Sequence, residues 1–286
     1  MKKIILLSMT FILIMSCNNN TPKTPVVIVD TTHKGDTIRQ VCSFGLDTNF
    51  YQENARHPRQ LSVEVLDQIA RKPVKNPRNQ PPPPTTTTGG LPLIFINFNG
   101  GVCSGTSWNV YGDIVYGISQ LDTAGQQTVV DGVALIWDKF AIVTADVNVF
   151  NSWPNKKTQV NVTDSSRFYG NGAGGVSYVG SITWDNGKTP AWVFSTLLGY
   201  NLQYITCAVA HEAGHTGGLY HQAVCINGVV TSEYNRGYGV GDTSWAPNMG
   251  VGYGKNHVVQ YVGPTPYDCS PQAQNDTAVW KANTWH

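Results

Sequence analysis

Charge is scarce in this 286-residue chain: 13% of residues are Asp, Glu, Lys or Arg, and the formal net charge is +1. Beyond residue 90 no basic cluster is larger than Lys156-Lys157. A surface that tracks phosphates needs a basic stripe, so nucleic acid is not an expected partner. Long apolar runs are scarce too. The clearest, MKKIILLSMTFILIMSC at 1 to 17, is too short for a stable membrane span and has the leading lysines and apolar body of an export signal. No internal repeat is visible. Cysteine is limited to Cys17, Cys42, Cys103, Cys207, Cys225 and Cys269. Setting Cys17 aside leaves an odd number, so at most two disulfides form and at least one thiol remains. A bridge pinning the region around Cys207, Cys225 and Cys269 is plausible, but spacing does not fix the partners.

The apolar run ends Ile14-Met15-Ser16-Cys17. Small residues leading into a cysteine resemble the lipobox of bacterial lipoproteins, which implies lipidation of Cys17, a membrane anchor and a place in the cell envelope or on the cell surface. Residues 18 to 90 read as a tether that could double as a pro-segment. Within them KPVKNPRNQPPPPTTTTGG, 72 to 90, suits extended polyproline geometry but neither a helix nor a central strand. Residues 91 to 286 are long enough for one domain with a sizeable core. Gly, Asn, Thr, Tyr and Trp are abundant there, which suggests long, ordered loops.

Periodicity gives a coarse element order for this domain. LPLIFINFNG, 91 to 100, reads as an inner strand. From Thr123 to about Ile142 the residues Val129, Val130, Val133, Ile136, Trp137 and Phe140 recur at helical spacing. DVNVF at 146 to 150 alternates and reads as a strand, QVNVT as a short strand, GVSYVGSITW at 175 to 184 as a strand exposed on one side, and AWVFST at 191 to 196 as another. After Gly199 the pattern becomes helical, with Ile205, Ala208, Val209 and Ala213 on the core face. A helix linking the first two strands favours a mixed sheet with helices on one side.

Histidine is rare as well, at seven residues, yet AHEAGHTGGLYH at 210 to 221 holds three of them with a glutamate and three glycines. His211 and His215 are four apart, so on a helix their rings share a face, separated by about 6 Å along the axis. A continuing helix would carry His221 about 120° away from His215. Gly217-Gly218 stops the helix and permits a left-handed turn that sends His221 back beneath the first two rings. Three neutral imidazoles and one open position are what catalytic zinc requires. Glu212, rotated about 100° from His211, is not needed as a ligand and can instead take a proton from a metal-bound water.

His211, Glu212, His215, Gly218 and His221 match the metzincin signature His-Glu-x-x-His-x-x-Gly-x-x-His at every defining position, and SWAPNMGVGYG at 244 to 254 resembles that family's methionine turn, with Met249 in place. The chain thus resembles a secreted microbial branch of the metzincins from about Leu91 to Tyr253. The resemblance implies an α+β fold: a twisted mixed sheet packed on helices, and a small C-terminal subdomain with Met249 as an apolar floor beneath the imidazoles. It also implies zinc as cofactor and hydrolysis of internal peptide bonds, with the 175 to 184 region as an edge strand that pairs with an extended peptide.

Other candidates are weaker. Tyr253 lies four residues beyond Met249, where some metzincins have a functional tyrosine two beyond; Val251 takes that place, so Tyr253 is either a pocket wall or core packing. His257, Asp242 and Asp276 read as loop or solvent residues. Cys42 has a thiol suited to zinc, but VCSFGLDTN does not resemble the cysteine-switch motif of matrix-degrading metzincins. Two rival functions remain: a zinc amidase acting on cell-wall peptide or another amide, and an inactive surface binding protein, against which the retention of Glu212 argues. The expected partners are a peptide or protein substrate and, through the lipid, a membrane; a monomer is expected.

Overall fold

The computed structural model describes residues 90–169 and 173–285, together with the backbone of two strands at Val27–Ile28 and Arg39–Gly45. The export signal, Cys17 and the Pro/Thr-rich stretch up to residue 89 lie outside the described residues. Among the described residues no helix is long and apolar enough to cross a membrane.

The architecture is mixed α+β. In chain order the elements are β1 (Val27–Ile28), β2 (Arg39–Gly45), β3 (Leu93–Asn97), the hairpin β4 (Gly101–Cys103) and β5 (Ile114–Tyr116), α1 (Thr123–Trp137) and β6 (Ile142–Thr144). Then come α2 (Val147–Ser152), β7 (Lys157–Thr163), β8 (Ala173–Tyr178), α3 (Ile182–Asp185), β9 (Ala191–Phe194) and α4 (Leu202–Thr216). Past α4 lie β10 (Val224–Ile226), β11 (Val229–Ser232), β12 (Trp245–Pro247), β13 (His257–Val259) and, near the C-terminus, α5 (Asp276–Thr284).

One seven-stranded sheet organises the chain, in the order β1-β2-β8-β9-β7-β3-β6. The pairs β3–β6, β3–β7 and β7–β9 are parallel, whereas β8 runs antiparallel to β9 and β2 antiparallel to β8. β3 is therefore an inner strand, and all five of its residues are buried. Alternation sends Ile94, Ile96, Val160, Val162, Ala191 and Val193 toward α1 and α4, where the main core lies. The opposite face carries a smaller cluster with Tyr116, Val176, Tyr178, Trp192 and Phe194.

α1 begins at Asp122, whose carboxylate accepts from Gly125 N at 2.7 Å. Its buried stripe is Gly125, Val129, Val133 and Trp137, one residue per turn. The helix stops at Trp137 rather than near Ile142, because Asp138 takes φ 35° and a single 3₁₀ turn follows. The DVNVF segment is corrected: it is the helix α2, not a strand. Asp146 caps it, accepting from Asn148 N at 2.8 Å, and the strand after α1 lies earlier, at β6. The 175 to 184 region is also corrected. It holds a strand only to Tyr178, then turns and forms α3. All six residues of β8 are buried, because α4 covers one face and an aromatic cluster with Trp108, Trp184 and Trp192 covers the face that sequence suggested was exposed.

The C-terminal part closes over the end of α4. Cys225 and Cys269 form a disulfide, fixing the pairing that spacing left open. Among the described residues Cys103 and Cys207 are free and buried, and burial pushes the Cys207 thiol up to about 12, which keeps it protonated and inert. Asp276 is corrected as well: it is fully buried rather than solvated. It accepts from Gln222 Nε2, Gln274 Nε2 and Tyr261 N, yet burial outweighs these bonds and pushes its carboxyl up to about 6. On α5 Trp280 is fully buried; it packs on Trp137 with ring centroids 4.1 Å apart and donates from Nε1 to Phe140 O at 3.0 Å.

The Trp280 ring also fills the space over Gly217 at the end of α4, where an added Cβ would collide with it. Gly217→Ala should therefore cost about 1–3 kcal/mol through overpacking. Urea unfolding monitored by tryptophan fluorescence checks this, and an unchanged midpoint would contradict the assigned contact.

Candidate metal centre

α4 presents the histidines because its sequence favours a deeply buried helix. Asn201 caps it, accepting from Tyr204 N at 3.1 Å, and Ile205, Ala208, Val209 and Ala213 are fully buried as expected. Small residues allow close approach from below. An added Cβ at Gly214 would sit 2.5 Å from Met249 Sδ, so this glycine leaves room for the fully buried Met249 against the helix.

The chain reverses after Thr216 as its glycines suggest, although the two glycines act differently. Gly218 adopts φ 96°, a conformation that L side chains resist, and Gly218 N and Leu219 N return to His215 O and Gly214 O. Gly217 keeps an ordinary φ of −81° and is small for the sake of Trp280. The turn brings His221 back to His215, with the two Nε2 atoms 3.1 Å apart.

His211, His215 and His221 form one buried cluster whose ligand atoms all lie within 4.8 Å of one another. Each ring is aimed by an acceptor on its outer nitrogen. His211 Nδ1 donates to Asn248 O at 2.8 Å and His215 Nδ1 to Leu219 O at 2.6 Å. His221 Nδ1 lies 2.7 Å from Glu233 Oε1. With Nδ1 committed outward, Nε2 is the atom each ring presents to the common centre. Burial first, and then the neighbouring imidazoles, hold His211 and His215 well below the usual histidine range, so both are neutral at physiological pH. Buried, neutral, convergent and externally hydrogen-bonded imidazoles are the donor set of a divalent metal site. The cluster has metal-ligand geometry, and the chain has the character of a metal-binding protein.

Glu212 is fully buried on the same helix. Ser177 Oγ on β8 donates to Glu212 Oε2 at 2.6 Å. Gly175 on the same strand leaves room for the glutamate, since an added Cβ would lie 2.7 Å from Glu212 Cγ. The carboxylate is thus wedged between its helix and the neighbouring strand.

Sequence reasoning missed Glu233, Ser177 and Tyr234, whose ring centroid lies 4.3 Å from that of His221. One signal was present for Glu233. From residue 91 onward the chain contains only Glu212 and Glu233 as glutamates, and both reach this site. Other candidates fall away from the cluster. Tyr253 is core packing, its ring tilted against that of Tyr204 with centroids 4.6 Å apart, and Val251 packs at the margin of the same core. His257 and Asp242 are exposed, with the His257 ring 2.8 Å from Asp242 O. Cys42 has a backbone position in β2, opposite Ser177. A separate cavity of about 500 Å³, lined by Tyr116, Lys157, Gln159 and Asn161 among others, includes none of the three histidines.

Removing the outer partner of His221 should weaken metal binding without touching a ligand. Glu233→Ala is expected to lower zinc affinity by about 10–100-fold, and Glu233→Gln, which retains an acceptor, by less. Competition titration against a chromophoric chelator measures both, and equal affinity in all three proteins would contradict the orienting role. Gly218→Val should also weaken binding, because it strains the turn that returns His221.

Comparison of the chain with protein-family models, with curated proteins and with solved structures returned no match. What the residues themselves establish is a buried three-histidine cluster with metal-ligand geometry in a mixed α+β fold.

Proposed function

We propose that the protein is a zinc-dependent endopeptidase of the metzincin type, with His211, His215 and His221 as ligands and Glu212 as general base. The observation that carries this reading is the pairing of three buried, convergent imidazoles with a buried carboxylate held by Ser177 on the adjacent strand. Three histidines suit catalytic zinc, whereas structural zinc usually takes four protein ligands. When bound, zinc would supply Lewis acidity toward the scissile carbonyl and toward water.

The chain's own residues account for the remaining steps. Glu212 accepts a proton from the attacking water and returns it to the departing amine, so that the C–N bond breaks to a carboxylic acid and a neutral amine. Ser177 holds one carboxylate oxygen in place during both transfers. Met249, which packs against Gly214 of the histidine helix, is read as the apolar, polarizable floor of the site, and Gly218 and Glu233 keep His221 in the ligand set. In this reading the 244 to 254 loop is the methionine turn.

The natural setting is proposed from the sequence. Cys17 is the lipidated residue, the protein is an exported bacterial lipoprotein of the cell envelope or cell surface, and its substrate is a peptide or protein met there by a monomer. The Cys225–Cys269 disulfide supports an oxidising compartment.

The test combines zinc analysis with cleavage-site profiling of a diverse peptide mixture. Internal cleavage should be abolished by a chelator and restored by zinc; exclusive removal of terminal residues, or activity on cell-wall fragments alone, would redirect the assignment. Glu212→Gln should keep near-normal zinc content and lose nearly all turnover, while His215→Ala loses metal and activity together. Substantial zinc-dependent turnover in Glu212→Gln would sink the role given to the glutamate.

A further inference from the structure

Not every polar side chain in the main sheet serves the histidines. β7 packs Val160 and Val162 into the core beside α4, so alternation turns Lys157, Gln159 and Asn161 to the opposite face. There they line the cavity of about 500 Å³, which is bounded by the β4–β5 hairpin, α2 and the loop between α3 and β9. The sheet itself lies between this cavity and the metal cluster. Buried amides form the floor. Asn161 is fully buried, and its Oδ1 accepts from Gln159 Nε2 at 2.6 Å, Asn97 Nδ2 at 3.1 Å and Tyr116 OH at 3.2 Å. Three donors converge on one oxygen, while Asn161 Nδ2 has no acceptor among the described residues. A buried donor left unpaired is costly, whereas an apolar set of the same shape is nearly neutral, so stability alone does not account for this network.

The charged and aromatic groups around the cavity are already engaged. Lys157 Nζ donates to Phe150 O at 2.8 Å, and Asp185 accepts from Lys188 N, Thr189 N and Thr189 Oγ1. The Phe150 ring is covered by Phe95, stacked at 4.8 Å, and by Lys157 Nζ at 4.7 Å, while Tyr116 is buried edge-on against Trp192. No open ring face is left for an aromatic ligand. β7 is paired on both edges, by β3 and β9, so an extended peptide finds no strand edge here.

We propose that this cavity binds a neutral sugar through the amides of Gln159 and Asn161. A hydroxyl both accepts and donates, so one sugar hydroxyl can take the N–H of Asn161 and give its own proton to the Gln159 carbonyl. Gln159 is the half-buried member of the network and the one able to turn; when its amide swings to the ligand it uncovers Asn161. Ser104, Thr106 and Asn151 add polar groups along the wall, and the volume falls within the range of small-molecule sites. A free saccharide and a glycan unit carried by a protein share this chemistry. The site is independent of the peptidase reading.

The test uses the full chain as wild type, Gln159→Ala and Asn161→Leu, each checked for a cooperative thermal transition. The probes are glucose, galactose, mannose and N-acetylglucosamine, each as its methyl glycoside and each attached to a short peptide, with the bare peptide as control. Saturation-transfer NMR and titration calorimetry read the binding. At least one sugar should bind wild type with a Kd of about 10 mM or tighter, either as the free glycoside or on the peptide in excess of the bare peptide. Gln159→Ala should weaken that binding about tenfold and Asn161→Leu should abolish it. Zinc affinity should stay as in wild type in both variants, because the sheet separates the two sites. Binding of free glycosides identifies a free saccharide as the ligand; binding only on the peptide identifies a protein-borne glycan.

No binding of any of these sugars at about 10 mM, free or attached, would overturn the proposal. So would sugar binding that Gln159→Ala leaves unchanged, since the ligand would then sit elsewhere on the chain. If Asn161→Leu fails to fold, Gln159→Ala decides by itself, because it alters only a half-buried side chain.

Discussion

Three imidazoles must be buried, neutral and aimed at a single point, and the remainder of the C-terminal half is arranged around that demand. A buried histidine with an unsatisfied outer nitrogen would lose stability and could rotate away. Here each Nδ1 faces an acceptor from a different stretch of chain: Asn248 O, Leu219 O and Glu233 Oε1. The 244 to 254 loop, the glycine turn and the segment after β11 must all be in place before the Nε2 atoms converge. Other contacts hold those stretches. The Cys225–Cys269 bridge anchors the start of the β10–β11 hairpin, Gln222 N donates to Met249 O, and buried Asp276 ties Gln222 to the chain at Tyr261.

The second demand comes from the carboxylate. Glu212 emerges from the same helix about 100° away from His211, so it faces β8 and not another ligand. A buried carboxylate needs donors, and Ser177 supplies one at 2.6 Å. Gly175, two residues earlier on the same face of the strand, gives the glutamate its space. The register of β8 thus sets where the glutamate sits, and the same register pairs β2 with β8.

The histidine helix was readable because its constraints are local. Spacing fixes which faces His211 and His215 share, and the φ of 96° at Gly218 is the turn that paired glycines suggest. The α+β class and the buried face of α1 were readable for the same reason. What failed to show in the sequence depends on distant partners. Nothing near Ser177 indicates a glutamate 35 residues later, and Gly217 looks like a turn residue although Trp280, far along the chain, requires it to be small. DVNVF misled because alternation over so short a stretch is outweighed by one capping aspartate. Asp276 reads as a surface carboxylate until the Gln222 and Gln274 amides close over it.

The central claim is that one metal sits on three histidine nitrogens with a position left open. X-ray absorption spectroscopy of the zinc-loaded full chain tests it most directly, because nitrogen or oxygen neighbours and sulfur neighbours differ in distance from the metal. The account predicts four light-atom neighbours at about 2.0–2.1 Å, with multiple-scattering features from three imidazoles and no sulfur. A sulfur neighbour at about 2.3 Å, or four histidine-like ligands closing the site, would contradict it.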